Sequence, residues 1–285
     1  MTPTSGQPAH GAAERCSRQW WRDDLPAWGT ASRADFWVGL EQPGPWGHKA
    51  ITQSHLDPEL GDRLEAAISQ LGGRLVLIRR PGRHVDEGCS TPRMVLVGAG
   101  MTQGTPWVGQ VRLLDPAHLL DLLAGFSPDH RPDWLEPCAP ALLVCTNAKR
   151  DRCCALEGRE LVTELHGGPV GNQVWEASHL GGHRFAPTAV VLPTNQMLAR
   201  LDSDLSLAAL DAAVSGRPLD CGAFHDRGLS HLPAEQQAID AHARATGVDR
   251  AGLRAETMTM PTQRASSCGA AAVPVTVWTV EEIDG

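Results

Sequence analysis

The sequence is poor in several features that would assign a protein to a common class. It contains no tyrosine and only four phenylalanines among 285 residues, and the missing tyrosine excludes chemistry that depends on a phenol. No apolar run reaches the roughly 18 residues that a membrane-spanning helix needs. No block of lysine and arginine occurs, and the formal net charge is −8, which disfavours a nucleic-acid-binding groove. We therefore expect neither a membrane nor a nucleic acid as a partner.

Targeting signals and several catalytic motifs are missing as well. Residues 1–14 are polar and lack the basic segment and apolar core of a secretory signal, so we expect a flexible tail over 1–15 and a cytoplasmic location. Gly44, Gly47 and Gly82 form no glycine-rich phosphate-binding motif, so nucleotide binding lacks support. We identify no pair of carboxylates suited to glycoside hydrolysis.

Cysteine and histidine, by contrast, are plentiful. Eight cysteines in 285 residues are too few for a disulfide scaffold but many for a cytosolic protein, and twelve histidines accompany them. In a reducing compartment thiols stay free unless they hold a metal or carry out redox chemistry. The segments where cysteine and histidine come together are therefore the candidate sites.

The hydrophobic pattern predicts an α/β protein of two units joined by a proline-rich linker over 126–140. We expect a smaller N-terminal α/β domain over 16–130, followed over 138–285 by a thioredoxin-like domain with a C-terminal extension. The order strand, helix, strand, strand, helix in the second unit is consistent with a thioredoxin-like sheet. The predicted strands are 75–78, 94–97, 107–113, 141–144, 174–177, 189–192, 256–260 and 273–280, and the predicted helices are 58–71, 116–123, 153–166, 205–214 and 233–246.

Candidate ligands cluster in the second unit, at two places where a strand gives way to a loop. The first place holds Cys145 with Cys153 or Cys154, and the second holds His179 and His183. Two glycines separate the histidines, which favours a loop over a helix. A loop of this kind can still direct two imidazoles at one metal centre.

Known ligand spacings narrow the choice without deciding it. Zinc modules usually place their first two ligands two to four residues apart, so the spacing from Cys145 to Cys154 fits them poorly. The histidine segment is not H-E-x-x-H, which excludes the zinc-peptidase motif, and His179 has no nearby cysteine as a Rieske centre requires. A [2Fe–2S] cluster on two cysteines and two histidines remains. A zinc-stabilised structural or binding module, a thiol-disulfide oxidoreductase that uses the Cys153–Cys154 pair with Cys145, and the absence of any site stay open.

Two long segments resemble the sucrase/ferredoxin-like family: LLVCTNAKRDRCCAL over 142–156 and VWEASHLGGHRFAP over 174–187. Shorter similarities extend into the N-terminal half over 37–47, 54–57 and 77–82. The family includes fungal proteins with a bis-histidinyl [2Fe–2S] cluster in a thioredoxin-like ferredoxin domain. The resemblance implies an electron-transfer protein whose cluster is bound by Cys145, Cys154, His179 and His183, with Cys153 as the alternative to Cys154.

This ligand set leads to expectations for the reduction potential of the cluster. Neutral imidazoles in place of two anionic thiolates favour electron uptake, as they do in Rieske centres. Protonation of His179 or His183 should then make the potential depend on pH. Lys149, Arg150 and Arg152 beside the site either dock an acidic redox partner or form a solvated loop. The sequence does not identify the electron donor or acceptor.

The remaining candidates receive no role. His48 and His55 are expected to be structural, Trp175 to be core, and the segment 224–229 matches the family only loosely. Five cysteines are scattered without ligand spacing and are expected to be buried or free thiols: Cys16, Cys89, Cys138, Cys221 and Cys268.

Overall fold

The computed structural model of the protein describes residues 15–82 and 91–283 and confirms the predicted α/β class. The predicted tail, apart from residue 15, and Cys89 lie outside these residues. The strands are β1 (Phe36–Glu41), β2 (Gly73–Arg79), β3 (Arg93–Ala99), β4 (Trp107–Leu113), β5 (Glu136–Pro137), β6 (Ala141–Cys145), β7 (Val174–Ala177), β8 (Ala189–Leu192), β9 (Gln196–Leu198), β10 (Asp226–Leu229), β11 (Leu253–Ala265) and β12 (Ala272–Glu282). The helices are α1 (Cys16–Arg22), α2 (Pro58–Gln70), α3 (His118–Leu123), α4 (Arg159–His166), α5 (Ser203–Val214), α6 (Gly222–His225) and α7 (Ala234–Thr246).

Helix α2 shows how the local sequence determines where a helix begins and which of its faces is buried. The Asp57 carboxylate accepts a hydrogen bond from the Leu60 N–H at 2.8 Å, and Pro58 occupies the first helical position, where its missing N–H costs nothing. Leu64 and Ile68 lie one turn apart on the buried face. The helix therefore begins where the sequence predicts, with its apolar stripe against the sheet.

Ten strands form one mixed sheet in the order β10-β9-β8-β6-β7-β2-β1-β3-β4-β5. The two halves of this sheet repeat one topology. In the first half β1 is parallel to β2 and antiparallel to β3, which pairs antiparallel with β4. In the second half β6, β7, β8 and β9 pair in the same way. The sequence shows no internal repeat, so the repetition is visible only in the strand order.

The two halves meet where β2 pairs antiparallel with β7. Arg79 lies opposite Glu176 at this seam, and the two buried side chains form an ion pair. The short strand β5, within the predicted linker, pairs with β4. The domain boundary between 130 and 138 stays a prediction.

The sheet is covered on both faces, and one of its cores contains the candidate ligands. Phe36, Val38 and Leu40 of β1 point to one face, where they pack in a cluster with α2 and α3. Trp37 points to the other face and belongs to a second cluster that includes Cys145 and Cys154. The two cysteines are therefore core residues.

Strands β11 and β12 form a separate two-stranded sheet, where the sequence predicts a C-terminal extension. Val275 and Val277 of this hairpin pack against Trp20 of α1 and Phe185. The turn between the strands, residues 266–271, reaches the start of the helical segment that carries Cys153. Within 15–82 and 91–283, none of the helices has the length and apolar character that a bilayer crossing requires.

Candidate metal centre

The candidate site lies at the carboxyl ends of two parallel strands. Strand β6 ends at Cys145, and its neighbour β7 ends at Ala177, opposite Cys145 in the pairing register. Cys154 opens a π-helical turn over Cys154–Gly158 that leads into α4, and His179 follows β7 by two residues. Because the carboxyl ends of parallel neighbours meet at one edge, the two loops converge there.

Three of the four predicted ligands come together. The sulfur atoms of Cys145 and Cys154 and one ring nitrogen of His179 lie within 4.8 Å of one another, and the distance from Cys145 Sγ to His179 Nδ1 is 4.0 Å. Cys145 and Cys154 are 0% and 1% exposed, whereas His179 is half-buried. Such a mixture of thiol and imidazole donors suits iron or zinc.

His183 lies beside this group rather than within it. Its ring centroid is 5.4 Å from that of His179, and its Nε2 atom is 3.8 Å from Oδ2 of Asp151. Its Nδ1 atom is buried and has no hydrogen-bond partner among the described residues. Metal-binding histidines commonly present one nitrogen to the metal and the other to a carboxylate, and His183 has a carboxylate on one side and an unpaired nitrogen on the other.

A hydrogen bond joins the two buried thiols and shifts their pKa values in opposite directions. A hydrogen bond from Cys154 lowers the pKa of Cys145 well below its usual value, and hydrogen bonds from His179 and the Leu180 N–H act in the same direction. The same bond to Cys145, together with burial, raises the pKa of Cys154 well above its usual value. Binding of a metal would displace the proton of this hydrogen bond, because metals bind cysteine as the thiolate.

The loop between the histidines is shaped by its two glycines. Gly181 and Gly182 have φ angles of +86° and +74°, in the left-handed region that favours glycine. The Leu180 carbonyl accepts a hydrogen bond from the Ser32 hydroxyl at 2.9 Å. A Cβ atom at Gly182 would lie 2.6 Å from the guanidinium of Arg227. The loop is not helical, as the sequence predicts.

Arg227 is the residue that sequence reasoning missed. It lies in the segment 224–229, to which the sequence assigns no role, and it is completely buried beneath the histidine loop. Its Nη1 donates to the Gly181 carbonyl at 3.0 Å, and its Nε donates to the Thr30 hydroxyl at 3.2 Å. Burial lowers the pKa of Arg227 to about 9, which leaves the guanidinium charged at neutral pH. Its only signal in the sequence was an arginine within that loosely matching segment.

Cys153 faces away from this site and belongs to a second group. Its sulfur is 3.5 Å from that of Cys16 and 3.2 Å from that of Cys268, and the Cys16 and Cys268 sulfurs are 3.8 Å apart. A hydrogen bond from Cys16 lowers the pKa of Cys153 to about 6. Cys16 and Cys268 are free thiols, as the sequence predicts, but the fold brings them together although they are far apart in the sequence. Cys138 and Cys221 belong to neither group.

A cationic cavity of about 420 Å³ opens beside His179. Lys49, Arg74 and Arg150 contribute positive charge to its wall and Asp62 and Glu65 contribute negative charge, which leaves a net charge of +1 with histidine neutral. Arg150 Nη1 lies 3.0 Å from the His48 ring nitrogens. The half-buried imidazole of the site is thus adjacent to a positively charged surface, whereas the two cysteines are enclosed.

Comparison with known proteins adds a family match. The model of the sucrase/ferredoxin-like family matches residues 27–217, about two thirds of the chain. The matched segment includes all four predicted ligands and ends before Arg227 and Cys268. No curated protein and no solved structure matches the chain.

Proposed function

Because the chain belongs to the sucrase/ferredoxin-like family, we propose that it is an electron-transfer protein in which Cys145, Cys154, His179 and His183 hold one [2Fe–2S] cluster. A bound cluster of this kind supplies one-electron redox chemistry. The observation that carries the proposal is the convergence of two buried thiols and an imidazole at one sheet edge.

The surroundings of these residues suit the proposal. Thiolates and imidazoles are the ligands of iron–sulfur centres, and the unpaired Nδ1 atom of His183 is a further donor beside the other three. The Leu180 N–H donates a hydrogen bond to the Cys145 sulfur, a contact that stabilises a thiolate ligand. The cysteine side is enclosed and the histidine side faces the cationic cavity. Electrons should therefore enter and leave through the histidines.

The charge of the site favours electron uptake for two reasons. Two ferric ions, two sulfides and two thiolates sum formally to zero, whereas four thiolates would give a net charge of −2. The buried guanidinium of Arg227 lies close to Cys145 and Cys154, whose negative charges raise the pKa of Arg227. Arg227 therefore adds positive charge next to the thiolates. Both effects should raise the reduction potential.

The strand order of the second half agrees with the thioredoxin-like interpretation. The order β9-β8-β6-β7, with only β6 and β7 parallel, has the ends of its two parallel strands at the candidate site. The cytoplasm, where thiols stay reduced, is the compartment that suits such a site. Proton-coupled redox at the histidines stays a prediction from the sequence.

The cationic cavity suits an acidic redox protein as the partner. The positive charges of Lys49, Arg74 and Arg150 exceed the negative charges of Asp62 and Glu65 by one. This excess can attract acidic side chains, and complementary charge of this kind accelerates association at low salt. The rate of electron transfer from such a partner should fall as salt rises. A substitution of Arg150 by Glu should lower the rate at low salt and flatten its dependence on salt.

The metal content of the purified full chain tests the proposal. The protein should be red-brown and should contain two iron atoms and two acid-labile sulfides per chain. Cys145→Ser and Cys154→Ser should lose the iron and the visible absorbance. Cys221→Ser is the matched control, since its thiol lies outside both groups, and it should keep them. Complete loss of iron from Cys153→Ser with none from Cys154→Ser would overturn the ligand assignment.

The histidine variants test the electronic argument. His179→Cys and His183→Cys should keep iron and lower the reduction potential, because each adds an anionic ligand. A potential that is unchanged or higher in both variants would refute the role of the histidines as ligands.

The same measurement separates the two alternatives. A colourless protein that loses zinc in Cys154→Ser would be a zinc-stabilised module with its metal at Cys145, Cys154 and His179. A colourless and metal-free protein would be a thiol-disulfide oxidoreductase. The placement of Cys153 and Cys154 in different groups argues against their acting as one redox pair.

A further inference from the structure

Three thiols from distant parts of the chain meet beside the proposed cluster site. Cys16 opens helix α1, Cys153 precedes the π-helical turn, and Cys268 lies in the turn between β11 and β12. Cys16 and Cys153 are buried and Cys268 is half-buried. The sequence separations run from 115 to 252 residues, so no local motif places them together.

Two of the three distances between the sulfur atoms approach the value for a single tetrahedral ion, and the third is shorter. With a zinc–sulfur bond of about 2.3 Å, two thiolates on one tetrahedral ion lie about 3.8 Å apart. The three observed distances are 3.2, 3.5 and 3.8 Å. A disulfide requires about 2.05 Å, so none of the three pairs is bonded as the structure stands.

A fourth donor is already in position. The ligand atoms of Asp151 and the three cysteines all lie within 4.8 Å of one another. The Asp151 carboxylate is held by the N–H of Cys153 at 2.8 Å and by the N–H of Cys268 at 3.0 Å. Each carboxylate oxygen has two lone pairs, and the N–H that it binds occupies only one of them. The other lone pair is free to bind a metal.

We infer that Cys16, Cys153, Cys268 and Asp151 bind one zinc ion, at a site separate from that of the proposed cluster. Hydrogen bonds to the sulfurs support the binding of thiolates. The N–H of Ser17 donates to Cys153, and the N–H of Cys16 donates to Cys268. Partners of this kind orient the ligands of structural metal sites.

The zinc ion would act as a cross-link. It would join α1, the segment before α4 and the β11–β12 hairpin, and its binding energy would add directly to the stability of the folded chain. Cys16 and Cys268 both lie outside the segment that the family model matches. The site is therefore a feature of this chain's own terminal segments, and it does not depend on the proposed electron-transfer function.

Zinc content of the purified full chain is the first test. The wild-type protein should hold one zinc ion per chain, and Cys268→Ser should lose it. Cys268 is the primary variant because its turn is partly exposed, whereas Cys16 is buried and its replacement endangers the fold. Cys138→Ser, which alters a half-buried thiol outside both groups, is the matched control and should keep the zinc.

Cobalt supplies a second readout. Wild-type protein stripped of zinc and given Co²⁺ should show the strong visible bands and thiolate charge-transfer absorption of a tetrahedral thiolate site, and Cys268→Ser should not. Cys154→Ser separates this proposal from the proposed function, since it should lose iron and keep zinc. Equal zinc and cobalt binding by the wild type and Cys268→Ser would overturn the inference. A native disulfide between any two of Cys16, Cys153 and Cys268, detected by peptide mass spectrometry, would overturn it as well.

Discussion

The seam between the two halves of the sheet is held by a buried ion pair that can be broken by one substitution. Arg79 donates through Nε and Nη2 to one oxygen of Glu176, at 2.8 and 2.5 Å. The same oxygen accepts from the Thr146 hydroxyl at 2.9 Å, and Arg79 Nη1 donates to the Gly44 carbonyl at 2.9 Å. The guanidinium also lies 4.1 Å from the centre of the Trp46 ring. Glu176→Gln keeps the shape of the acid and removes its charge.

The expected cost follows from burial. The two side chains are only 7% and 8% exposed, so the substitution leaves the Arg79 guanidinium buried without its counter-charge. Breaking a buried pair in this way costs about 3–5 kcal/mol of unfolding free energy. With a urea dependence of about 3 kcal/mol per molar, the unfolding midpoint should fall by about 1 to 1.7 M. Arg79→Met combined with Glu176→Leu should recover most of this loss, because no charge is then buried alone.

Urea unfolding followed by tryptophan fluorescence measures the effect. The control is Glu256→Gln, which breaks the Arg254–Glu256 pair at 3.0 Å, whose side chains are 66% and 54% exposed. An exposed pair of this kind contributes less than about 1 kcal/mol. The argument fails if Glu176→Gln lowers the free energy of unfolding no more than Glu256→Gln does, with the dependence of that free energy on urea concentration unchanged. Burial would then not determine the contribution of this pair.

Three further predictions address the histidine loop, a helix end and a buried histidine. Gly182→Ala should cost about 2–4 kcal/mol of unfolding free energy and reduce metal content, since it combines left-handed strain with a clash against Arg227. Gly247→Ala, at φ +78° with open space around it, is its control and should cost only about 1 kcal/mol and leave metal content unchanged. Asp202→Ala removes the side-chain cap of α5 and should lower the free energy of unfolding by about 1 kcal/mol, measured by thermal unfolding. Burial lowers the pKa of His231 from 6.5, so the folded state binds its proton more weakly than the unfolded state and stability is lost as pH falls below about 6.5. Between pH 7 and pH 5 the wild type should therefore lose more unfolding free energy than His231→Asn, and equal losses would contradict this.

The elements that the sequence predicts well are those whose signals are local. The bounds of β4, β7 and β8 match the predicted strands, and α2 begins at its aspartate cap and proline. Each has an apolar run or a capping pattern within a few residues. Helix α1 and strand β9 were not predicted, because both are short.

Strand β10 could not be predicted from a local hydrophobic pattern. Its sequence is DRGL, which has neither an alternating nor a continuous apolar pattern, yet Asp226 and Arg227 are both buried in it. Asp226 is paired with Arg244 of α7 at 2.8 Å, and Arg227 satisfies the carbonyl of Gly181. The burial of these charges depends on partners that are distant in sequence. A strand held by such contacts has no apolar signature.

In the candidate site, too, some residues could be predicted from local signals and others could not. Cys145 and His179 follow predicted strands, and Cys154 lies at the start of the predicted helix after the first of these strands, so their approach could be expected from topology. The group formed by Cys16 and Cys268 with Cys153 could not, because two of its members lie in terminal segments without ligand spacing. The contact depends on the docking of α1 and the β11–β12 hairpin, which only the tertiary fold determines.

The vicinal cysteines explain how two groups can lie so close together. Consecutive residues of a helix diverge by about 100° around its axis, so Cys153 and Cys154 cannot both face one centre. Asp151 lies between the two groups, since it accepts from the N–H of Cys153 and of Cys268 and its Oδ2 faces His183 at 3.8 Å. A metal at the second group would fix this carboxylate, and the carboxylate would then restrict the orientation of the His183 ring. Asp151 is thus a neighbour of both groups, and Cys154 is the member of the vicinal pair that lies with His179.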